Sequence, residues 1–192
     1  YSVYDSFGNA VSVTTTINSA FGSGVVVEGA GFLLNNEMDD FSGKPGVMNQ
    51  FGLLGTEANS IQPEKRMLSS MTPTIVLKDD EPYIIIGSPG GSTIITTVLQ
   101  VILNCIDFEM NIREAIEAPR IHHQWMPDSI FYEQKALNPE IRSELTKMGY
   151  HFWDEGANIR WLGIAEGIII DNENGIIYGT ADPRGGGLAI GY

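Results

Sequence analysis

The segment that most constrains this fold is Tyr83–Ser92, where an apolar β-rich run, Tyr83-Ile84-Ile85-Ile86, passes straight into Gly87-Ser88-Pro89-Gly90-Gly91-Ser92. Beyond it, apolar residues recur at helical spacing and predict a helix over Thr93–Ile106. A strand, a glycine turn and a helix in direct succession leave backbone N–H groups pointing outward at a helix N-terminus. Aided by the helix dipole, such groups stabilise negative charge. That geometry suits a phosphate or the oxyanion of a tetrahedral intermediate; it also serves as a plain tight strand-to-helix turn. Thr93-Ile94 follows where a phosphate-binding loop needs Lys-Ser/Thr, which argues against nucleotide binding. Ser88 is not centred between glycines as in a nucleophile elbow.

Around this segment the pattern is of short strands and helices. Tyr1–Asp5 and Ala10–Ile17 read as a hairpin across the Ser6-Phe7-Gly8-Asn9 turn, the second strand dominated by β-branched residues. Thr74–Leu77 and Tyr83–Gly87 pair across the charged turn Lys78–Pro82. Asn111–Ala118 is a second helix stopped by Pro119, and Asn138-Pro139 caps a third that runs to about Met148 before Gly149. Strands over Gly163–Asp171 and Ile176–Thr180 flank an Asn172–Gly175 turn. No repeat or linker interrupts the pattern, so residues 1–192 are expected to form one mixed domain rich in antiparallel hairpins. The chain is already in strand-like alternation at Tyr1, as expected of a cleaved or truncated product.

Composition excludes more than it identifies. A net charge of −13 argues against nucleic acid or an anionic membrane as partner. The longest apolar runs are strand-sized, far short of a membrane span. Cys105 is the only cysteine, so neither an internal disulfide nor a multi-thiolate metal site is available, and its place within the first helix marks it as core. Adjacent His122 and His123 point to different sides of an extended chain, which favours structural or surface roles over metal binding. No His stands in an evident Ser-His-Asp order.

Three polar features remain. Residues Ser42–Gln62 form a long loop carrying Pro45, Gly46, Gly52 and Gly55; loops of this length are often lids, or else plain excursions. Ser69-Ser70 places two hydroxyls side by side before a strand, able to donate to one carboxylate or to serve a turn. In Asn35-Asn36-Glu37-Met38-Asp39-Asp40, Glu37 and Asp40 can hold an ammonium group between them. The oxygen spacing there does not match a calcium loop, and the bland alternative is a solvated turn.

Taken in order, these segments resemble the small, C-terminal subunit of the γ-glutamyltranspeptidase (γ-glutamyltransferase) family, within the N-terminal nucleophile hydrolase superfamily. The resemblance is carried by Gly8-Asn9-Ala10-Val11-Ser12, Thr14-Thr15-Thr16-Ile17-Asn18, Leu33–Phe41, Lys44-Pro45-Gly46, Lys65–Thr74 around Ser69-Ser70, Gly87–Ser92, Glu117-Ala118-Pro119-Arg120, His122–Trp125 and Ala181-Asp182-Pro183-Arg184. Each is weak alone; as an ordered set they are specific and span nearly the whole chain.

The resemblance implies an α+β fold, an αββα sandwich of mostly antiparallel sheets completed by a separate large subunit cut from the same precursor. The family's small subunit begins Thr, then Thr or Ser, then His, then Tyr or Phe. Tyr1 matches the last of these, so the nucleophilic Thr is expected just ahead of it. The carried-over catalytic roles fall on Thr16, which assists the nucleophile, and on Gly90 and Gly91, the oxyanion hole. Asn18, Glu37 and Asp40 match the residues that hold the donor's α-amino group, and Ser69 and Ser70 those that bind its α-carboxylate. The implied reaction is transfer or hydrolysis of the γ-glutamyl group of glutathione and related donors through an acyl-enzyme. The acceptor is water, an amino acid or a peptide, and no cofactor or metal takes part. Bacterial relatives imply a periplasmic or secreted location.

Two positions depart from the pattern. Phe51 stands where many bacterial members carry a lid tyrosine that bonds the asparagine matching Asn18, and Met67 replaces a proline. Within the superfamily, a poly-γ-glutamate depolymerase or a cephalosporin-type acylase are the alternatives, and an inactive relative is a third.

Overall fold

The computed structural model describes residues 1–153 and 162–192. They form two compact units, one of residues 1–14 with 71–192, the other of residues 15–70.

The first unit is built on a four-stranded antiparallel sheet. Its strands are β3 (Thr74–Lys78), β4 (Glu81–Gly87), β7 (Glu166–Asp171) and β8 (Ile176–Ala181), hydrogen-bonded in that order. Side chains alternate across a strand, so Ile84 and Ile86 share one face and Ile85 lies on the other. On the first face, α1 (Ile94–Ile106) and α2 (Ile112–Glu117) pack with Ile84, Ile86, Val98, Val101, Cys105, Ile112 and Ile116 into the buried core. Gly167 makes this approach possible: a Cβ there would lie 3.1 Å from Ile112 and 3.2 Å from Ile116. On the opposite face sits the hairpin of β1 (Ser2–Tyr4) and β2 (Ala10–Ser12), with Ser12 Oγ donating to the Ile86 carbonyl at 2.7 Å. The resulting succession of helices, sheet and second β-layer is the α+β arrangement that the family resemblance implies, with the antiparallel hairpins that the residue pattern predicts.

Element boundaries differ in instructive ways. β2 ends at Ser12, although the β-branched run continues to Ile17. Strand propensity needs a partner, and β1 supplies one only back to Ser2, with a last bond from the Val13 N–H to the Tyr1 carbonyl. The first helix starts at Ile94 because Gly91–Thr93 is a 3₁₀ turn. α2 opens with a capping box between Asn111 and Glu114, which the sequence did not single out. α3 (Pro139–Lys147) is capped by Asn138, whose side chain accepts the Ile141 N–H at 2.8 Å. The strand expected from Gly163 begins at Glu166, and a short pair, β5 (Ile121–His122) with β6 (Phe131–Tyr132), follows α2.

A buried charge network locks the end of this unit. Arg120 is 2% exposed and donates to the carbonyls of Ile116, Leu162 and Gly163 and to Asp182 Oδ2 at 2.7 Å. Arg184 spans Glu133 at 2.6 Å and Asp182 Oδ1 at 3.1 Å, and also takes the carbonyls of Ile116, Glu117 and Ala118. The sequence marks Ala181–Arg184 and Glu117–Arg120 as motifs; the structure makes them one scaffold, joining the C-terminal end of α2 to the end of β8.

The second unit has little regular structure. Two 3₁₀ turns, Glu37–Asp40 and Glu57–Asn59, are linked by the Asn59 side chain, which donates to the Asp40 carbonyl at 2.8 Å. Its close backbone packing requires glycine at two points: a Cβ at Gly22 would meet the Leu34 carbonyl oxygen, and one at Gly55 would strike Ser42.

Candidate active site

In the first unit, Gly87–Ser92 turns the chain from β4 into α1. Ser88 is buried; its hydroxyl donates to the Pro89 carbonyl at 2.7 Å and accepts the Ile164 N–H at 2.9 Å. That side chain is therefore committed to holding the turn, in keeping with its exclusion as a nucleophile. Gly90 has φ 143 and Gly91 φ 57, conformations that favour glycine. A Cβ on Gly90 would lie 2.5 Å from Thr93 Oγ1 and 3.1 Å from Gly163 Cα, so the backbone approaches too closely for a side chain. The Gly90 carbonyl is taken by the Thr93 N–H at 3.1 Å and its hydroxyl at 2.9 Å. The turn thus fixes the Gly90 carbonyl at the start of a thirteen-residue helix.

In the second unit, a cleft of about 380 Å³ brings Asp40 and Ser70 onto one surface, together with Asp39, Asn59 and parts of one loop, Val47 to Asn49 and Leu53 to Gly55. Thr16, Asn18, Glu37, Phe51 and Ser69 do not line this cleft. Glu37 opens the 3₁₀ turn that ends in Asp40, its N–H held by Asn35 Oδ1 at 3.0 Å. Burial, then the neighbouring Glu37 and Asp39 carboxylates, push Asp40 above the ordinary carboxylate range. A half-buried acid raised in this way favours a cation beside it, because an ammonium group offsets both causes. Thr16 is exposed and its Oγ1 accepts the Asn18 N–H at 2.9 Å. Asn18 adopts φ 75 and sends its side-chain amide to the Asn36 carbonyl at 3.1 Å. Ser69 is exposed and Ser70 half-buried.

The structure adds residues that the sequence did not single out. Asn59 donates to the Asp40 carbonyl at 2.8 Å and accepts the Leu68 N–H at 2.9 Å, tying the acidic turn to the segment that enters Ser69-Ser70. Asn36 exchanges two side-chain bonds with Ser19, both 3.0 Å. Asn49 Oδ1 takes the N–H groups of Phe51 and Leu53, each at 3.0 Å. An isolated loop asparagine has no periodicity or spacing to reveal it.

Residues outside these clusters are satisfied locally. His122 is buried between Thr96 Oγ1 at 2.8 Å and Gln124 Oε1 at 2.9 Å, and burial lowers its pKa; exposed His123 faces Asp128 at 3.1 Å. Burial raises the Cys105 thiol to about 11, so it is an inert core residue at neutral pH. Among the described residues no group of His, Cys, Asp and Glu is arranged to hold a metal ion, and no helix is long and apolar enough to cross a membrane.

The glutathione hydrolase proenzyme of Escherichia coli K12 is 49% identical over all of this chain, which spans 32% of its length. The chain thus covers about a third of the curated relatives it matches. The γ-glutamyltranspeptidase T380A mutant of Helicobacter pylori superposes with a TM-score of 0.90 at 52% identity, over 96% of this chain and 98% of that one. A cephalosporin acylase from Bacillus halodurans is more distant, with a TM-score of 0.70 at 29% identity over 88% of this chain and 29% of its own. The profile of the gamma-glutamyltranspeptidase family matches residues 1–192 from end to end, and the chain belongs to that family.

Proposed function

We propose that this chain is the small catalytic subunit of a γ-glutamyltransferase and glutathione hydrolase. The observation that carries the reading is the cleft where Asp40, its carboxyl raised by burial and neighbouring acids, shares a surface with Ser70. An α-amino acid headgroup has one cation and one carboxylate, and the Asp40 carboxylate and the Ser70 hydroxyl offer complementary partners to both. Glu37 and Asp40, with Asn18, are assigned to the donor's ammonium group. Ser69 and Ser70 are assigned to its α-carboxylate. The identity of 49% to a glutathione hydrolase, against 29% to the cephalosporin acylase, favours γ-glutamyl compounds over the alternatives.

The proposed chemistry is a two-step acyl transfer. The hydroxyl of a threonine ahead of Tyr1, assisted by Thr16, loses its proton to the threonine's own α-amino group and attacks the γ-amide carbon. The Gly90 and Gly91 N–H groups receive the negative charge that develops on the carbonyl oxygen. The C–N bond then breaks, the leaving amine takes up the proton, and a γ-glutamyl ester remains. Water or an incoming amine attacks this ester, returning the hydroxyl and releasing glutamate or a new γ-glutamyl amide. No cofactor is needed for either step.

The large subunit of the same precursor is the proposed partner, and a periplasmic or secreted location is proposed from the bacterial relatives. One feature supports a protein partner. α1 contains no charged residue, and while Ile94, Val98, Val101 and Cys105 face the core, Ile95, Leu99, Leu103 and Ile106 form an exposed apolar stripe. Helices apolar on both faces are normally covered on both.

The test is to express the intact precursor, follow its self-cleavage, and assay release from γ-glutamyl-p-nitroanilide. Cleavage with turnover supports the reading. A precursor that neither cleaves nor turns over would sink it, and strong preference for poly-γ-glutamate or a cephalosporin would reassign the substrate.

A further inference from the structure

The segment Gly46–Gly55 is not a structureless loop. It folds back on itself through Gly46 N–H to the Gly55 carbonyl at 2.9 Å, Asn49 N–H to the Leu53 carbonyl at 3.0 Å, and a bridge between Met48 and Leu54. The side chain of Asn49 closes its tip by accepting the N–H groups of Phe51 and Leu53. Val47, Met48, Asn49, Leu53 and Leu54 then supply one wall of the cleft that contains Asp40 and Ser70. A wall made from a short exposed hairpin has little core of its own, so its position depends on what grips the tip.

Gln50 supplies two of the hydrogen bonds that do so. Its N–H donates to Asp39 Oδ2 at 3.1 Å, and its Oε1 accepts the Ser19 hydroxyl at 3.2 Å. Another runs from Asn49 Nδ2 to the Asp39 carbonyl at 3.3 Å. Ser19 is held in turn by Asn36, whose carbonyl accepts the side-chain amide of Asn18. The tip is therefore joined on one side to the acidic turn and on the other to the segment bearing Asn18. The ring at position 51 carries no hydroxyl, and Gln50 makes its own connection to Asp39 and Ser19.

We propose that Gln50, gripped by Asp39 and Ser19, is the latch that holds the Gly46–Gly55 wall against the donor cleft, and so is a positioning residue for donor affinity. Asp39 is spent on this latch, which leaves Glu37 and Asp40 as the acids that meet the ammonium group. The inference rests on the reading of the cleft as the donor site.

The experiment is a double-mutant cycle in the self-cleaved two-subunit enzyme, with Gln50→Ala, Ser19→Ala and the pair, measuring KM and kcat for hydrolysis of γ-glutamyl-p-nitroanilide. Gln50→Ala should raise KM about fivefold, the worth of one net hydrogen bond, and Ser19→Ala, which also frees Asn36 Nδ2, at least as much, with kcat changed less than the KM in both. The double variant should be no worse than the poorer single, because both remove the same contact. Amide hydrogen exchange across Gly46–Gly55 should accelerate in all three variants while the rest of the chain is unchanged. Unaltered KM in both singles, or effects that simply multiply in the pair, overturn the latch. A parent enzyme that does not process this donor would instead refute the functional reading, so the two failures are separate.

Discussion

Asn59 holds Asp40 in place without touching its carboxylate: the asparagine side chain donates to the Asp40 carbonyl at 2.8 Å while its own oxygen takes the Leu68 N–H at 2.9 Å. The backbone reinforces the link, with the Ser42 N–H bonded to the Asn59 carbonyl at 2.9 Å. One residue thus sets the spacing between the acidic turn and the segment leading to Ser69-Ser70. In the proposed site this is the spacing between the donor's ammonium and carboxylate partners. Asn59→Ala removes both side-chain bonds and should raise the donor KM by about 30-fold, taking roughly 1 kcal/mol for each. Asn59→Asp keeps the acceptor for Leu68 but loses the donor to Asp40, and should fall between. Steady-state kinetics on γ-glutamyl-p-nitroanilide decide the order.

Asp40 also sets an acid limit for donor binding. Its carboxyl is raised above 3.8 by burial and by Glu37 and Asp39, and only the ionised form attracts an ammonium group. Donor KM should therefore be flat near neutrality and climb as pH falls through this raised value. The stability sign is opposite: for an acid raised on folding, ionisation above 3.8 costs stability. Asp40→Asn should abolish the acid limb and weaken donor binding throughout. Without ligand it should also melt at a higher temperature than the parent at neutral pH. A lower melting temperature there would show that Asp40 stabilises its turn rather than straining it.

Legibility in the sequence divides along the same lines as the physics. Periodicity and turn chemistry revealed β3, β4, the glycine turn and the three helices, because a repeating apolar face or a cap is a local signal. The strand expected over Ala10–Ile17 is mostly absent, because pairing depends on how far the partner extends. The residue types at Glu37, Asp40, Ser69 and Ser70 announced acid and hydroxyl chemistry. The meeting of Asp40 and Ser70 on one cleft does not follow from sequence spacing, since Asn59 and Asn49 act across separations set only by the folded chain. The loop at Ser42–Gln62 was legible as a loop, while its hairpin depends on Asn49 bonding its own backbone.

At the glycine turn, the claim is steric as well as electronic. Gly90→Ala would place a methyl 2.5 Å from Thr93 Oγ1 and 3.1 Å from Gly163 Cα, in a backbone region closed to most side chains. The turn must then rotate, and with it the N–H groups assigned to the oxyanion. Loss of one such donor typically reduces turnover about 10²–10³-fold. The expected signature is a kcat defect of that order with donor KM little changed, because the ground-state contacts are assigned elsewhere. A defect confined to KM would remove Gly90 from that role.

The Arg120–Asp182 pair should dominate the acid stability of its unit. Burial alone would raise the Asp182 carboxyl, but the Arg184 N–H, the charge and hydrogen bond of Arg120, and the Ala165 N–H outweigh it and leave it below 3.8. Stability from a lowered acid is fully present above 3.8 and is lost as pH falls toward the folded value. Removing one member of a buried pair strands the other charge, so Asp182→Asn should destabilise by about 3–5 kcal/mol at neutral pH. It should also flatten the dependence of denaturant midpoint on pH below 4. An unchanged midpoint at neutral pH would mean that Arg120 is held adequately by its carbonyl partners.

The outer face of α1 gives the sharpest test of the proposed partner. Leu99 is 51% exposed and Ile95 49%, and with Leu103 and Ile106 they form a stripe on a helix whose other side is fully packed. A glutamate at Leu99 or Leu103 would be tolerated by water but not by an apolar interface, where an unpaired charge is costly. In the precursor, Leu99→Glu with Leu103→Glu should reduce the yield of self-cleaved, co-purifying subunits severalfold. Leu99→Gln should be milder, and a glutamate at exposed Lys147, away from the stripe, should leave the yield unchanged. Size-exclusion chromatography with light scattering separates the partners: loss of the large subunit locates its contact on α1. Intact heterodimers that merely lose higher oligomers would assign the stripe to a second copy.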